Sequence, residues 1–494
     1  MSLRKKLVVV GFVLAMIATA CGDSSDDTTT AAPGTDAPTT TAADATTAAP
    51  TTAAPTTTVA PPADDIMTDL GVTDDEIFIG LLADLSGPFA GLTVDIVDAQ
   101  VAYWEDVVNA NGGIAGRTVV PVIEDTVYNV ATHGEKYTKI VDQVVAFSNS
   151  TGSPHTASIL GQLKEDNVLA MPLSWYSGWA DPEFDGGLTF ELGTNYCLEG
   201  MNVMEWMVNA FAADNDGALP TIGIATRAGD YGQDAAAGVK YAAERLGLNI
   251  VFDGEGLVVR SNPAEYTAAD ATPVITGLVG AQPDIVWLTT APSETAVLMG
   301  GAFQNGLVTA RWTGSVPSYD FRLLDSPVAE ALTAAYFQPN YAVSWGTDVP
   351  GMAQVSEVLT ARYPDRRPSD AFILGWTEAR AMEQILRQAA ANGDMTRQGV
   401  IDAANTIDTI LMDGASPDFN YQGDPNDYVV RELYMFKPNL ATYAAAGGAD
   451  QQLQNGLGTT GSDFIEGPFV LPLAADFEFT GACWTQEEGN RISG

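Results

Sequence analysis

The chain has 494 residues, with 22 Lys and Arg against 63 Asp and Glu, so its formal net charge is −41. A surface this acidic repels phosphate backbones and anionic lipid headgroups, so nucleic-acid binding is not expected. With only two histidines and three cysteines, a His-rich metal site is excluded, and we expect neither a metal nor a cofactor. The length suits two lobes of about 150–200 residues each.

The N-terminus has the features of a secretory signal. Three basic residues precede an apolar run, Leu7–Ala20, that is too short to span a bilayer as a mature helix. We therefore predict a signal peptide over residues 1–20. The next residue closes Ala18-Thr19-Ala20-Cys21, which resembles a lipobox, although Ala18 stands where Leu is usual. The resemblance implies a lipid anchor on Cys21 at the extracytoplasmic face of the cell membrane. An ordinary signal peptide with an incidental cysteine is the alternative.

Residues 21–73 are predicted to be a linker between this anchor and the folded part. Residues 22–65 are almost entirely Thr, Ala, Pro, Asp and Ser, without the large apolar side chains that offset the entropy cost of folding. Fully extended, about 44 residues of about 3.3 Å each would reach on the order of 145 Å. The folded part is expected to begin near Asp74.

The stretch from Ile77 to Arg117 predicts a strand, a loop and a helix. The apolar run at its start is typical of a strand buried on both faces, and Ser86-Gly87-Pro88 breaks it. Apolar residues then recur at helical spacing as far as Val108, and Asn111-Gly112-Gly113 ends the helix. This order places the Ser86 loop at the carboxyl end of a parallel strand, where open α/β sheets bind ligands.

Strand and helix signals continue to alternate along the chain, which predicts parallel sheets with helices on both faces. Further strands are expected at Thr118–Ile123, Val145–Phe147, Val168–Met171, Thr221–Ala225, Ile250–Phe252, Asp284–Leu288, Arg311–Thr313 and Val429–Phe436. Further helices are expected at Thr132–Val144, Thr156–Glu165, Gly232–Arg245, Glu294–Asn305, Met352–Tyr363, Ala371–Asn392 and Thr396–Asn405. Residues 148–154 are expected to form a loop.

The chain resembles the Leu/Ile/Val-binding protein family, the type I periplasmic solute-binding proteins of ABC importers. The resemblance is carried by Ser86-Gly87-Pro88, Asn109–Arg117, Pro283–Leu307 and Phe419–Gly423, and covers roughly residues 77–437. It implies an α/β fold of two Rossmann-like lobes with parallel sheets, joined by a three-segment hinge. Residues 74–197 and 343–420 would form the first lobe, and residues 198–342 and 421–440 the second. Residues 441–494 would be a C-terminal extension without a family counterpart.

Two loops of the first lobe are candidate ligand contacts. Thr151, Gly152 and Ser153 lie between a strand and a helix, where hydroxyls and free backbone N–H groups can hold an anion. In the resembling family, this loop and the loop after the next strand hold a ligand carboxylate. The second loop corresponds here to Leu173, Ser174 and Trp175. Simple helix capping by Thr151 or Ser153 is the alternative.

In the second lobe, Tyr231 matches a family tyrosine that closes over the ligand. Ala291 lies where the family has a further contact. Val316 stands near the family's acidic residue, which holds the ligand's amino group. This departure puts a standard α-amino acid ligand in doubt. The possible substitutes are Asp320, Asp230 and Glu294, each of which could instead be a solvated surface carboxylate.

Three aromatic residues in one short loop, Trp175, Tyr176 and Trp179, predict a stacking wall for an apolar or aromatic ligand. Packing between the lobes is the alternative. Arg227 would pair with a second anionic group of the ligand, or else form a surface ion pair.

Two cysteines, Cys197 and Cys483, remain once Cys21 is lipidated. Outside the cytoplasm an even pair is expected to be oxidised, which would staple the C-terminal extension near the first crossover. Two buried free thiols are the alternative.

These features predict an extracytoplasmic lipoprotein that captures a small amino-acid-like, amide or carboxylate solute and delivers it to the permease and ATPase subunits of an ABC importer. We expect a monomer without enzymatic activity. One alternative is a sensory lipoprotein of the same fold that does not transport. The other is a secreted hydrolase that uses Ser153 and His155, although no G-x-S-x-G motif surrounds this serine.

Overall fold

The computed structural model describes residues 66–262 and 265–492, and the predicted signal peptide and lipidation site lie outside them. The strands are β1 Met67–Thr68, β2 Glu76–Ala83, β3 Thr118–Asp125, β4 Ala146–Thr151, β5 Leu169–Leu173, β6 Thr221–Arg227, β7 Asn249–Val258, β8 Ile285–Thr289, β9 Arg311–Gly314, β10 Gln338–Asn340, β11 Asp394–Met395, β12 Leu433–Pro438, β13 Ser462–Phe469, β14 Trp484–Thr485 and β15 Gly489–Asn490. The α-helices are α1 Ala90–Ala102, α2 Val130–Ile140, α3 Ser153–Asp166, α4 Pro182–Asp185, α5 Tyr196–Asp214, α6 Asp230–Leu246, α7 Ala268–Ala281, α8 Pro292–Gln304, α9 Ala329–Ala335, α10 Met352–Arg362, α11 Asp370–Asn392, α12 Arg397–Thr406, α13 Pro425–Tyr428, α14 Leu440–Ala445 and α15 Pro472–Ala475.

The first sheet is parallel, with the strand order β3-β2-β4-β5. Ile77, Ile79 and Leu81 of β2 are fully buried, as expected for a strand covered on both faces. The helix predicted after it is α1, which continues as a π-helical segment over Tyr103–Val108. It ends at Gly112, whose φ of 92° is readily adopted only by glycine.

The second sheet repeats this plan, with the parallel order β7-β6-β8-β9. In each sheet the first strand along the chain, β2 or β6, lies inside the sheet. The second strand pairs on one side of it and the third strand on the other, so a crevice opens at the carboxyl ends of the inner strands. The crevices lie between β2 and β4 and between β6 and β8. The fold class predicted from the sequence, α/β with two parallel sheets, is therefore confirmed, whereas the predicted lobe boundaries stay predictions.

Two local predictions are wrong. Residues 66–73, placed in the linker, are folded, because β1 pairs with β11 and Ile66 and Val72 are buried. Residues 148–151, expected to be loop, belong to strand β4. Their polar side chains are buried and hydrogen-bonded to other buried groups; for example, the Ser148 hydroxyl donates to Gln100 Oε1 at 2.7 Å.

Helices α5 and α7 were not predicted. The buried positions of α5 run almost continuously over its first thirteen residues, so the sequence lacks an amphipathic stripe there. Helix α7 contains an internal proline, Pro273, which normally signals a break.

The C-terminal segment packs against the main body of the fold. Strand β13 extends an antiparallel sheet of order β10-β12-β13, and the predicted strand at Val429–Phe436 is β12, which begins at Leu433. Cys197 and Cys483 are joined by a disulfide bond. Within the described part of the chain, no helix is both long enough and apolar enough to cross a membrane.

Candidate ligand-binding site

A cavity lies where the carboxyl ends of the two parallel sheets face each other. We call it the main cavity. Aromatic and aliphatic side chains dominate its wall. The lining residues are Phe89, Leu92, Thr93, Ile96, Tyr128, Thr151, Gly152, Leu173, Trp175, Tyr196, Tyr231, Val316, Pro317, Tyr319, Gln338, Asn340, Asp370, Ala371 and Leu374. Six of the ten ligand-binding residues predicted from the sequence are among them: Thr151, Gly152, Leu173, Trp175, Tyr231 and Val316.

The end of β4 forms one polar corner of this cavity. Gly152 has a φ of 97°, and a Cβ atom there would lie 2.5 Å from His155 Nδ1, so only glycine fits. Helix α3 begins at the next residue, Ser153, and the first N–H groups of a helix have no partner within it. The Thr151 hydroxyl donates to Asn149 Oδ1 at 2.9 Å. The corner therefore presents a helix N-terminus to the cavity.

Ser153 lies just behind this corner, and its buried hydroxyl has no hydrogen-bond partner. The ring nitrogens of His155 are buried without partners as well. Burial lowers the pKa of His155 to about 4, so this side chain is neutral near pH 7. Ser153 and His155 are not hydrogen-bonded to each other, so the nucleophile–base pair required by the hydrolase alternative is not formed.

A cation stands behind the same end of the cavity. The Arg227 guanidinium lies 5.5 Å from the ring centre of Phe89 and 5.6 Å from that of Tyr128, and both rings line the cavity. Its Nη1 atom is buried without a hydrogen-bond partner. Its other contact is with the buried Glu294 carboxylate, at 3.8 Å, which also accepts a 2.7 Å hydrogen bond from Arg260. Among the described residues, the contacts of Glu294 place two guanidinium groups around this one carboxylate, and we call these three residues the ion cluster.

Tyr231 forms the opposite wall. Its hydroxyl donates to the Thr290 carbonyl at 2.9 Å, which fixes the ring. The ring lies 4.8 Å from that of Tyr196 and 6.2 Å from that of Phe89, between centres. Because Phe89 follows β2 and Tyr231 follows β6, this contact joins the two sheet ends across the cavity.

Val316 contributes an apolar surface, and a carboxyl group lies behind it. The Val316 N–H donates to Glu199 Oε1 at 2.8 Å, while Glu199 Oε2 is buried without a partner. Burial raises the pKa of Glu199 to about 8, so the group is mostly protonated at neutral pH. A neutral carboxyl gives little stabilisation to a ligand ammonium group.

The three residues suggested as substitutes for the family's acidic residue, Asp320, Asp230 and Glu294, do not line the main cavity. Asp320 is buried and pairs with Arg322 at 2.9 Å, and Glu294 is buried in the ion cluster, so neither is a solvated surface carboxylate. Burial raises the pKa of Asp230 to about 6. Asp370 does reach the cavity, but its oxygens accept hydrogen bonds from Ser344, Thr460 and the Trp345 N–H.

Four predicted contacts lie off the cavity wall. Ser86 is exposed and its hydroxyl donates to Asp125 at 2.7 Å, Ser174 accepts from Trp179 at 3.1 Å, and Ala291 immediately precedes helix α8. Ser153 is the fourth. Of the predicted aromatic wall only Trp175 lines the cavity; Tyr176 and Trp179 pack on Phe184 instead.

Several lining residues were missed by the sequence analysis. Tyr128 directly follows β3 and Phe89 follows the Ser86 loop, so position after a parallel strand was a usable signal for both. The contributions of β10 and α11 had no such signal, because these elements are brought to the cavity only by the tertiary fold. The described residues contain no group of three or more His, Cys, Asp or Glu side chains placed to hold a metal ion.

Comparison with known proteins identifies the family. A profile of periplasmic binding proteins matches residues 76–445. None of the curated proteins compared with the chain matches it in sequence. The structure is similar to that of a fatty acid ABC transporter substrate-binding protein from Thermomonospora curvata, at 26% identity and a TM-score of 0.71, covering 85% of this chain and 99% of that one.

Two further solved structures share the fold at lower identity. One is a branched chain amino acid ABC transporter protein from Thermus thermophilus with bound valine, at 16% identity, a TM-score of 0.63, and coverage of 81% of this chain and 98% of that one. The other is a solute-binding protein from Rhodopseudomonas palustris HaA2 in complex with p-hydroxybenzoic acid, at 15% identity, a TM-score of 0.60, and coverage of 74% and 93%. The chain therefore belongs to the periplasmic binding protein family, as an extracytoplasmic solute-binding protein.

Proposed function

We propose that the solute is an apolar carboxylic acid, aliphatic or aromatic, held in the main cavity with its carboxylate at the start of α3. The observation that carries the proposal is the pairing of an apolar wall with two unpartnered donors at the end where α3 begins. Ser153 Oγ and Arg227 Nη1 are both buried without hydrogen-bond partners at that end. A carboxylate would satisfy groups that otherwise keep their full desolvation cost.

The wall supports an apolar body for this ligand. Leu92, Ile96 and Leu374 present aliphatic surface, and Trp175 and Tyr196 present rings. Apolar surface removed from water contributes about 25 cal/mol per Å², so such a wall favours a ligand with a hydrocarbon or aromatic portion. The similarity to a fatty acid ABC transporter substrate-binding protein agrees with this choice.

The lack of a free anion in the cavity argues against an amino acid. Of the described residues that line the main cavity, Asp370 is the one with a carboxylate, and its oxygens already accept hydrogen bonds from four groups. Glu199 stands behind Val316 and is mostly protonated, because burial raises its pKa to about 8. The ammonium group of leucine would lose its water shell without gaining an ionised partner.

Calorimetry on ligand-stripped protein tests the proposal with octanoate, leucine, 4-methylpentanoate and 1-octanol. Octanoate should bind most tightly, and 1-octanol should bind at least about tenfold more weakly, because it lacks the charge that Ser153 and Arg227 would hold. The des-amino acid 4-methylpentanoate should bind at least as well as leucine. Strong leucine binding that vanishes with 4-methylpentanoate would contradict the proposal.

A matched pair of serine variants locates the carboxylate. Ser153→Ala should weaken octanoate binding by about 1.5–3 kcal/mol, the value of a hydrogen bond to a charged group. Ser86→Ala changes the same atoms at an exposed position off the cavity, and should leave octanoate binding unchanged. Equal losses in the two variants would place the carboxylate elsewhere.

We also propose that the mature protein is anchored through a lipid on Cys21 and delivers its solute to the permease and ATPase of the transporter. Support comes from the lipobox-like Ala18–Cys21 and the Thr/Ala/Pro-rich linker after it. Cys21→Ser should move the protein from the membrane fraction to the soluble fraction. Uptake of labelled octanoate that is lost on deletion of the gene would distinguish transport from sensing.

A further inference from the structure

A second cavity shares no lining residue with the main cavity. Its walls come from two parts of the chain, the stretch before helix α5 and the stretch between α12 and β12. The first part carries the connection from the first sheet to α5, and the second leads to the antiparallel sheet. The lining residues are Trp179, Ala180, Pro182, Asp185, Gly187, Thr189, Phe190, Glu191, Gly193, Asn405, Phe419, Tyr421, Gly423, Tyr428, Val429 and Val430.

Glu191 is the unusual residue of this cavity. Its side chain is charged, yet the residue is only 8% exposed. Its Oε2 atom is buried and accepts no hydrogen bond from the described residues. The contact with Tyr421 does not involve the carboxylate, because the tyrosine hydroxyl donates to the Glu191 backbone carbonyl at 2.9 Å. A buried carboxylate in this state is costly unless a cation or donor reaches it.

The charges around Glu191 increase this cost. Asp185 also lines the cavity, and its carboxylate is held by the Thr189 hydroxyl at 2.6 Å and the Gly187 N–H at 2.7 Å. The lining residues include no Lys or Arg. Burial raises the pKa of Glu191 well above its usual value, and the negative charges of Asp234 and Asp185 raise it further. The same negative surroundings that favour a proton on Glu191 favour any other positive charge in the cavity, so a bound cation would compete with that proton and lower the pKa of Glu191.

Aromatic rings cluster around the same space. The ring of Tyr421 lies 4.8 Å from Phe190, 5.3 Å from Phe419 and 6.3 Å from Tyr428, between centres. The negative face of an aromatic ring attracts organic cations and also packs against their hydrocarbon portions. A bare metal ion is a poorer match, since one unpartnered carboxylate supplies too few ligands for the calcium or zinc coordination seen in proteins.

We propose that this second cavity binds a small primary alkylammonium ion, with Glu191 accepting hydrogen bonds from the ammonium group and the aromatic rings contacting the alkyl chain. The site is separate from the solute site, so it would be occupied independently of whether the solute is a carboxylic acid.

The probe is n-butylammonium, titrated by calorimetry into the full chain, with 1-butanol as the neutral control. Wild-type protein should bind n-butylammonium at least about tenfold more tightly than 1-butanol. Glu191→Gln keeps the shape but cannot ionise, and should weaken n-butylammonium binding at least about tenfold. Glu183→Gln is the matched control, because Glu183 lies in the same stretch but is exposed, and it should bind as the wild type does.

A second measurement needs no variant. Saturation transfer from the methylene protons of n-butylammonium should reach the methyl groups of Val429 and Val430, which line the second cavity. The proposal is overturned if wild-type protein fails to bind the probe at tens of millimolar. It is also overturned if Glu191→Gln binds equally well, or if Tyr231→Ala abolishes binding, since that would place the probe in the main cavity.

Discussion

The two cavities of this protein have similar walls but opposite unpartnered charges. Both are lined by aromatic rings. Behind one end of the main cavity stand buried donors without partners, Ser153 Oγ and Arg227 Nη1. In the second cavity the unpartnered group is an acceptor, Glu191 Oε2.

The comparison indicates that aromatic side chains alone do not determine which ligand a cavity binds. Aromatic surface supplies contact area to almost any ligand with a hydrocarbon portion. The charge of the preferred ligand is set by the few buried polar atoms that have no hydrogen-bond partner in the protein, because each of them gains most from a complementary partner. Variants that affect ligand binding in one cavity and leave it unchanged in the other therefore test this difference.

The largest effect is expected from removal of the disulfide. The bond between Cys197 and Cys483 holds the C-terminal segment beside Ser177, whose hydroxyl accepts a 2.8 Å hydrogen bond from the Cys483 N–H. Replacing both cysteines with serine should lower the free energy of unfolding by about 2–5 kcal/mol, measured by urea denaturation. Because Trp179 and Ala180 follow Ser177, n-butylammonium binding should also weaken, while octanoate binding should persist.

Non-reducing peptide mapping of the wild-type protein provides the control. One linked peptide pair is expected. Free thiols at both positions, or an unchanged urea midpoint in the serine variant, would show that the bond does not stabilise the mature protein.

The next largest effect is expected from Tyr231→Ala. The ring packs on Tyr196 and reaches Phe89 across the main cavity, so its removal takes away the contact that joins the two sheet ends. A buried aromatic residue at the centre of a binding site typically contributes 2 kcal/mol or more, so octanoate affinity should fall by about thirtyfold. Calorimetry measures this loss, and n-butylammonium binding should not change.

A smaller effect is expected from Arg227→Gln. Loss of the cation should weaken octanoate binding by about tenfold and leave 1-octanol binding unchanged, since only the acid interacts with the guanidinium charge. Arg245→Gln is the matched control, because this guanidinium packs on Tyr241, which does not line the main cavity. Equal weakening of acid and alcohol would indicate a structural role for Arg227 rather than an electrostatic one.

The sequence was sufficient for the fold but only partly for the site. Continuous apolar runs such as Ile77–Leu82, with helical spacing after them, identified the parallel strands correctly. They did so because a strand covered on both faces needs apolar side chains throughout. Strand β4 was cut short because Ser148 and Asn149 look like loop residues. Their burial depends on Gln100 and Glu378, which are distant in sequence.

The site residues that were predicted follow a parallel strand, although Phe89 and Tyr128 also follow one and were missed. Thr151 and Tyr231 are among those predicted, since the carboxyl ends of parallel strands meet at one edge. Asn340 and Leu374 come to the main cavity from β10 and α11, and nothing in their local sequence marks them. Likewise, the sequence could not show that Glu191 Oε2 lacks a hydrogen-bond partner, because this depends on which donor groups the fold places too far from it.

The smallest effect concerns pH, and it compares the carboxyl groups near the two cavities. Burial raises the pKa of Glu199 from 4.5 to about 8 in the folded protein. Between about pH 5 and pH 8 the folded state therefore binds more protons at this site than the unfolded state does. Stability from this group is present at low pH and is lost as the pH rises through the folded pKa.

Glu199→Gln removes this titration while keeping an oxygen for the Val316 N–H, which now donates to Glu199 Oε1 at 2.8 Å. Between pH 6.5 and 8.5, the wild-type protein should lose about 1–2 kcal/mol more stability than the variant, measured by urea unfolding at each pH. Glu191→Gln should flatten the slope in the same direction, since burial also raises the pKa of Glu191. Saturating n-butylammonium should have the same effect as Glu191→Gln and not that of Glu199→Gln, because the cation would keep Glu191 ionised without reaching Glu199. Parallel slopes in the wild type and both variants would show that neither carboxyl titrates in this range.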